Sequence, residues 1–385
     1  MKTLTTTQQL ADFCEMAAKH PYVTIDTEFL RERTYYSKLC LIQMAVKGEG
    51  DDCAVLVDPL VEGLSLEPLY DLFRNEDVVK VFHAARQDLE IFFIEGGVFP
   101  IPLFDTQAAA MVCGFGEQVG YETLVRKIAK ESLDKSSRFT DWSRRPLTDA
   151  QKTYAIGDVT HLRVIYEFLS KKIEKSNRSK WVEEELKILL SPETYVIQHE
   201  NAWKRVKTRS NSGRFMAIVK ELAAFRESHA QNRNVPRNRV YKDEAMLELA
   251  STKPQSMQDL GRSRLLQREA RKGDIAEGIL AAVAKGLHMD PADFPKADRS
   301  REKLQVNPAL ADLLRVLLKA KAEEAGVAVK LIATSAELDA IAAGLRDGKS
   351  LSGWRKEVFG NDALRLCDGE IALTAKGSTV KVVPI

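Results

Sequence analysis

The sequence predicts an α/β domain built on a mixed sheet, followed by two small, mainly helical domains. Two observations carry that reading. Over residues 1–173, short apolar runs alternate with helical patterns, and the first runs stand too close together for helical crossovers. Beyond residue 210 the α/β pattern ends, and one helical layout occurs twice at a constant offset, as in a tandem repeat. The chain has room for this: its 385 residues suit two or three domains, with 44% hydrophobic and 29% charged residues.

The strands come first. "YVTIDTEF" (22–29) opens on aromatic and β-branched residues, and "LCLIQMAV" (39–46), "AVLVDP" (54–59) and "VVKVFHA" (78–84) are strand-like as well. "YETLVRKIAK" and "AQKTYAIGDVTHLRVIYEFLSKKI" read as helices. The polar stretch 173–180 ends this domain at residue 173, and 174–209 form a linker with a bridging helix over 181–190. The first helical domain spans 210–290, where Phe215, Ile218, Val219, Leu222 and Phe225 share one helix face. In the second, over 304–385, Leu310, Leu314 and Leu317 take the places of Ile218, Leu222 and Phe225. Asp243 and Ser335 mark the same helix start in each copy as N-caps. A Pro- and charge-rich connector over 289–303 separates the copies, and Asp368-Gly369 and Lys376-Gly377 punctuate a C-terminal hairpin.

A net charge of only +2 leaves the partner to be read from where charge sits. Arg233, Arg237, Arg239 and Lys242 occupy one loop of the first repeat, where the second has Ala325, Val329, Leu331 and Thr334. That loop reads as a solvated surface or as a phosphate grip, and only the first copy is equipped for the latter. The five cysteines are scattered, which points to reduced thiols in a cytoplasmic protein rather than a disulfide framework or a thiolate zinc site. No signal-like apolar core opens the chain, and no apolar run approaches about 18 residues, so neither export nor a membrane is expected. There is no G-x-x-x-x-G-K-[ST] loop, and no nucleotide cofactor is expected.

Four acids stand out. Asp26 and Glu28 are two apart on a strand and so share a face. Either the strand end runs into solvent and both are hydrated, or a cation lies between them, since two carboxylates so close repel. Asp88 falls on the first turns of the helix that follows "KVFHAARQ". Tyr154 and Asp158 share one face of an otherwise core-seeking helix, where an acid is costly unless paired, hydrogen-bonded or metal-bound. Asp26, Glu28, Asp88 and Asp158 can converge as oxygen ligands. Hard donors without His or Cys select Mg²⁺ or Mn²⁺, and two such ions about 3.5–4 Å apart form a phosphodiester-cleaving arrangement.

"TIDTEF", "HAARQD" and "YAIGD" resemble the three exonuclease motifs of the DEDD superfamily, which has a ribonuclease H-like fold. Tyr154 resembles the tyrosine subclass; the histidine subclass would have His where Thr153 stands. "DTEFLRERTYYSKLCLIQ" and "DWSRRPLTDAQKTYAIGD" resemble the bacterial ribonuclease D family, in which paired HRDC domains follow the nuclease. The resemblance covers nearly the whole chain. It implies a 3′→5′ exoribonuclease that uses two divalent cations to release 5′-mononucleotides from RNA with a free 3′ end, notably tRNA precursors and other small structured RNAs. It also implies that Asp26 bridges both ions, that Glu28 and Asp158 complete one site, and that Asp88 serves mainly the other. Tyr154, a poor general base with an ordinary pKa of about 10, then orients the attacking water. The rival readings are a DNA-directed 3′→5′ exonuclease and a non-catalytic RNA-binding scaffold; a monomer is favoured.

Candidate RNA contacts surround these motifs. His83 and Gln87 flank Asp88 and can touch the terminal ribose, although His83 at a strand end is as easily structural. Phe29 either wedges against the last base or joins the core. "DWSRRPLT" offers Trp142 for stacking with Arg144 and Arg145 for phosphates, or else reads as packing at a helix start. Asp58 and Asp105 read as turn and cap residues.

Overall fold

The structure, a computed structural model, describes residues 1–48, 50–134, 137–210, 212–296 and 305–385. Six strands form one sheet: β1 (Lys2–Leu4), β2 (Tyr22–Leu30), β3 (Lys38–Val46), β4 (Ala54–Val57), β5 (Val79–Phe82) and β6 (Leu103–Asp105). Their spatial order is β1-β4-β3-β2-β5-β6. β2–β3 and β3–β4 are antiparallel, while β1–β4, β2–β5 and β5–β6 are parallel, so the sheet is mixed as expected. β1 and β6 escaped the sequence reading because three residues are too few to show alternation. The runs expected over 54–59 and 78–84 stop at Val57 and Phe82, where Asp58 and Ala84 begin turns.

Helices α1 (Thr7–Ala17), α2 (Glu67–Arg74), α3 (Arg86–Gly96), α4 (Thr106–Val112), α5 (Tyr121–Leu124) and α6 (Asp149–Lys175) cover this sheet. The alternation of β2 divides the work between its two faces. Val23 and Ile25 enter the main core, whereas Tyr22 packs with Leu162 of α6. Thr24, on the same face as Tyr22, donates its hydroxyl to the Val159 carbonyl of α6 at 2.8 Å. Asp26 and Glu28 continue that face, so β2 delivers both acids toward α6. A Thr148–Gln151 capping box fixes where α6 begins.

The stretch 173–180 is tighter than a linker. α6 runs on to Lys175, and α7 (Ser179–Leu189) follows after one turn. The first helical domain contains α8 (Gly213–Asn232), α9 (Arg237–Val240), α10 (Asp243–Thr252), α11 (Met257–Arg262) and α12 (Gly273–His288). The last part contains α13 (Pro308–Ala325), α14 (Val329–Ile332), α15 (Ser335–Ala342), α16 (Gly353–Arg355) and α17 (Asn361–Cys367), then the hairpin β7 (Ile371–Lys376) and β8 (Thr379–Pro384). α9 matches α14, and α10 matches α15, at the offset seen in the sequence. The caps are one residue earlier than expected. Thr334 caps α15 through the Glu337 amide, while Lys242 precedes α10 and Asp243 pairs with Arg226 at 2.7 Å. Part of the connector expected over 289–303, and the domain start at 304, lie outside the described residues.

Both helical parts are fastened to the α/β domain. Arg178 donates to the carbonyls of Val112 (3.1 Å) and Ala325 (2.5 Å), and Trp181 stacks on Trp354 with ring centroids 4.2 Å apart. On the other side, the turn between β2 and β3 inserts Tyr35 against α8 and α9. Its hydroxyl meets Glu227, which Arg237 grips at 2.5 and 2.6 Å, and Arg237 also donates to the Tyr35 oxygen at 2.7 Å. The Asn234 side chain accepts from the amides of Tyr35 (3.1 Å) and Tyr36 (2.9 Å). Arg237 is therefore a bolt between domains, its guanidinium committed to Glu227 and Tyr35 where a phosphate contact was expected. Glu227 is 3% exposed in its side chain, so removing its cation strands a buried charge. Arg237→Ala is expected to destabilise the protein by roughly 3 kcal/mol, read as a lowered midpoint in denaturant titration; an unchanged midpoint refutes the bolt.

Candidate active site

Asp26, Glu28 and Asp158 each offer a carboxylate oxygen within 4.8 Å of the others. Beside them the β2–β3 ladder shifts register: Glu28 faces Leu41, Phe29 faces Leu39, and Cys40 is the extra residue. Such a bulge bends a strand and re-aims the side chains at its end. Asp88 arrives beyond the C-terminal end of β5, on the first turn of α3, and stands outside the three-acid group. Its Oδ1 accepts from the Thr27 hydroxyl, which projects from the opposite face of β2. The approach to α3 is strained at Ala84, whose φ is 56°. Asp105 holds it, accepting from the amides of Ala84 (3.2 Å) and Ala85 (2.9 Å) while also capping α4. Asp105 is thus a cap, as its sequence setting suggested.

Burial is the first cause of the electrostatic state here and mutual repulsion the second. Burial and then Asp158 lift the Asp26 carboxyl well above the usual carboxylate range; burial and then Asp26 do the same to Asp88. Glu28 is pushed up to about 10 by burial and the three neighbouring acids. Asp158 is pushed up to about 7 by burial, opposed by a hydrogen bond from Tyr154 and by the charge of Arg138. In the metal-free protein these carboxyls compete for protons, which a divalent cation would replace. Across the ladder from Asp26 lies Gln43, fully buried with neither amide atom hydrogen-bonded. Clustered oxygen donors without His or Cys, beside an orphaned polar group, fit a hard divalent cation.

A stability prediction follows from those shifts. Carboxyls whose folded pKa values are raised stabilise the fold fully below the unfolded values near 4, and that stability is lost as pH rises through about 7 and about 10. The melting temperature of metal-free protein should therefore fall from about pH 5 to about pH 9. Added Mg²⁺ or Mn²⁺ should raise it, more at the alkaline end. An increment independent of pH in thermal melts would argue against cation binding by these acids.

A cavity of about 280 Å³ opens on the cluster, lined by Asp26, Asp158, Tyr154, His83, Tyr121 and Arg138 among others. Burial first, and then Asp158, Glu28 and Asp26, raise the Tyr154 phenol above its ordinary value, so it is protonated at neutral pH. His83 Nδ1 lies 2.9 Å from the Thr106 hydroxyl, which itself donates to the Phe82 carbonyl at 3.0 Å. Nδ1 must then carry the proton and Nε2 be the acceptor, and burial lowers the pKa of the ring and keeps it neutral. Gln87 is exposed on α3 away from the cavity lining, and Phe29 is half-buried against the main core.

The expected stacking role of Trp142 is also incorrect. The indole is 2% exposed, packed with Cys40, Leu41, Leu56 and Leu147, and backs the Tyr154 ring at 6.0 Å. Arg145 is a clamp, gripping Asp58 at 2.5 and 2.7 Å and the Cys40 carbonyl at 2.7 Å. Arg144 is exposed, 3.4 Å from Asp141, and Arg233 is exposed, 3.0 Å from Asp274; Arg239 is exposed too. Two cavity residues went unremarked in the sequence. Tyr121, whose hydroxyl reaches the Asp158 carbonyl at 2.5 Å, sits in a stretch that reads as plain helix, and Arg138 in an aperiodic polar one.

The 3′-5′ exonuclease family matches residues 1–174, and the HRDC domain family matches residues 215–283. Ribonuclease D of Jannaschia sp. (strain CCS1) is 67% identical over 383 residues, covering 100% of this chain and 99% of the relative. The chain belongs to the ribonuclease D family. Ribonuclease D of Granulibacter bethesdensis is 45% identical over 382 residues, covering 99% and 96%. Among solved structures, Escherichia coli RNase D, described as an exoribonuclease involved in structured RNA processing, superposes with a TM-score of 0.81 at 28% identity, covering 96% of this chain and 98% of that one. The protein is accordingly a 3′-5′ exoribonuclease, a hydrolase of RNA phosphodiester bonds in a family that works with divalent metals. Its α/β domain is a ribonuclease H-like exonuclease fold, and an HRDC domain follows. Among the described residues, no helix is long and apolar enough to cross a membrane.

Proposed function

We propose that the enzyme removes nucleotides singly from RNA 3′ ends as 5′-mononucleotides, and that it trims tRNA precursors and other small structured RNAs. The convergence of Asp26, Glu28 and Asp158 in one carboxylate cluster, with Asp26 and Asp158 lining a cavity, is the observation that carries this reading. In it, these three acids would hold one divalent ion and Asp26 with Asp88 a second, Mg²⁺ or Mn²⁺ in both cases. Ions bound there supply activation of water and neutralisation of charge at the leaving 3′-oxygen. Tyr154 belongs to the tyrosine subclass pattern and, with its hydroxyl proton given to Asp158 in a hydrogen bond, orients the nucleophile through its phenol oxygen. Asp88 is steadied by Thr27, and neutral His83 offers Nε2 to a ribose hydroxyl. Arg144, Arg233 and Arg239 are exposed cations suited to RNA phosphates. The helices over 308–367 repeat the spacing of the first HRDC domain, which supports a second HRDC-like domain without the basic loop. A cytoplasmic monomer completes the proposal.

The deciding experiment offers purified enzyme a 3′-tailed tRNA, an unstructured RNA and single-stranded DNA, with Mg²⁺ or with chelator. Metal-dependent mononucleotide release, fastest from the tailed tRNA, is expected. Preference for DNA would instead assign a DNA exonuclease.

A further inference from the structure

Phe139 is 91% exposed, more than any other large apolar side chain among the described residues. A phenylalanine so placed buries almost none of its side chain in the fold and adds little to the packing. The segment around it is nevertheless anchored. Ser137 is buried, its carbonyl accepts from the Thr140 hydroxyl at 2.9 Å, and Gln151 at the start of α6 donates to that hydroxyl at 3.1 Å. Two residues further on, Trp142 is sunk into the core. The ring is therefore presented at a set position beside the helix that carries Tyr154 and Asp158.

Its neighbour connects it to the cavity. The Arg138 guanidinium lies 5.3 Å from the centre of the Phe139 ring, and Arg138 also lines the cavity that holds Asp26, Tyr154 and Asp158. A cation at the wall and an exposed aromatic face just outside it make the pair that single-stranded nucleic acids use: a phosphate contact beside a stacking surface. From this placement we infer that Phe139 stacks on a base of the single-stranded RNA tail just outside the catalytic cavity, with Arg138 at the adjoining phosphate. The stacking face expected of Trp142 is thus supplied three residues earlier. The inference rests on the cavity being where the RNA 3′ end is cleaved.

The test compares wild type, Phe139→Ala and Phe139→Trp on an oligoadenylate and on versions of it with one abasic position near the 3′ end. Phe139→Ala should raise KM roughly 5- to 100-fold with kcat little changed, and should leave the melting temperature unmoved because the ring is outside the fold. Phe139→Trp should restore KM. At one abasic position wild type and Phe139→Ala should become equal, because the stacked base is gone from both. Equal KM values on the intact strand, a failure of Trp to restore, or a deficit undiminished at every abasic position overturns the inference. Asp26→Ala is run alongside: if it is inactive, a null result at Phe139 refutes the stacking alone, whereas retained turnover removes the cavity from the reaction and overturns both readings.

Discussion

Asp26→Asn and Asp88→Asn are each expected to abolish measurable turnover, a loss of about 10³-fold or more in single-turnover rate at saturating Mg²⁺. The two variants test different parts of the site. Asp26 lies in the three-acid group, where replacing one carboxylate by a neutral amide removes both a proposed metal ligand and the repulsion acting on Glu28. Metal-free Asp26→Asn should therefore melt no lower than wild type at about pH 8, since the charge it lacks is one that burial disfavours. Asp88 stands outside that group but within its field, and an amide oxygen can still accept from Thr27. Loss of activity with an unchanged melting temperature would thus report on chemistry and not on folding. A rate within about tenfold of wild type in either variant would remove that acid from the metal assignment.

What could be read from the sequence divides by how local the cause is. The face shared by Asp26 and Glu28 follows from strand alternation, and the face shared by Tyr154 and Asp158 from helical spacing, so their convergence was visible once both elements were placed. The errors concern residues whose environment is set by distant partners. Trp142 and Phe139 sit three apart in one polar stretch, and nothing local says which aromatic is buried; the answer lies in Cys40, Leu41 and Leu56 of the sheet. Arg237 looked like one member of a basic cluster, yet its partner Glu227 lies a helix away and Tyr35 in another domain. The repeat at constant offset was legible because it is a pattern, while β1 and β6 are too short to form one.

Tyr154→Phe separates ligand from orienter. Tyr154 lies one helical turn before Asp158, its hydrogen bond lowers the Asp158 pKa against the effect of burial, and its own phenol is held protonated. A group in that state cannot serve as a general base near neutral pH, but it can donate one hydrogen bond in a fixed direction. Removing only the hydroxyl leaves the ring on Trp142 and every carboxylate in place, so metal and RNA affinity should change little. The expected loss in kcat is roughly 10²-fold, the lower end for a positioned proton-handling group. A second effect has a definite sign. Without the Tyr154 bond the Asp158 carboxyl loses an interaction that favours its ionised form, so its folded pKa rises further and the acidic limb of the rate profile should move to higher pH. Single-turnover cleavage of a tailed RNA reads the first at saturating metal and the second across pH at limiting metal, where protons compete with the cation for Asp158. A Phe variant with the wild-type rate and the wild-type acidic limb would mean that the hydroxyl touches nothing in the reaction.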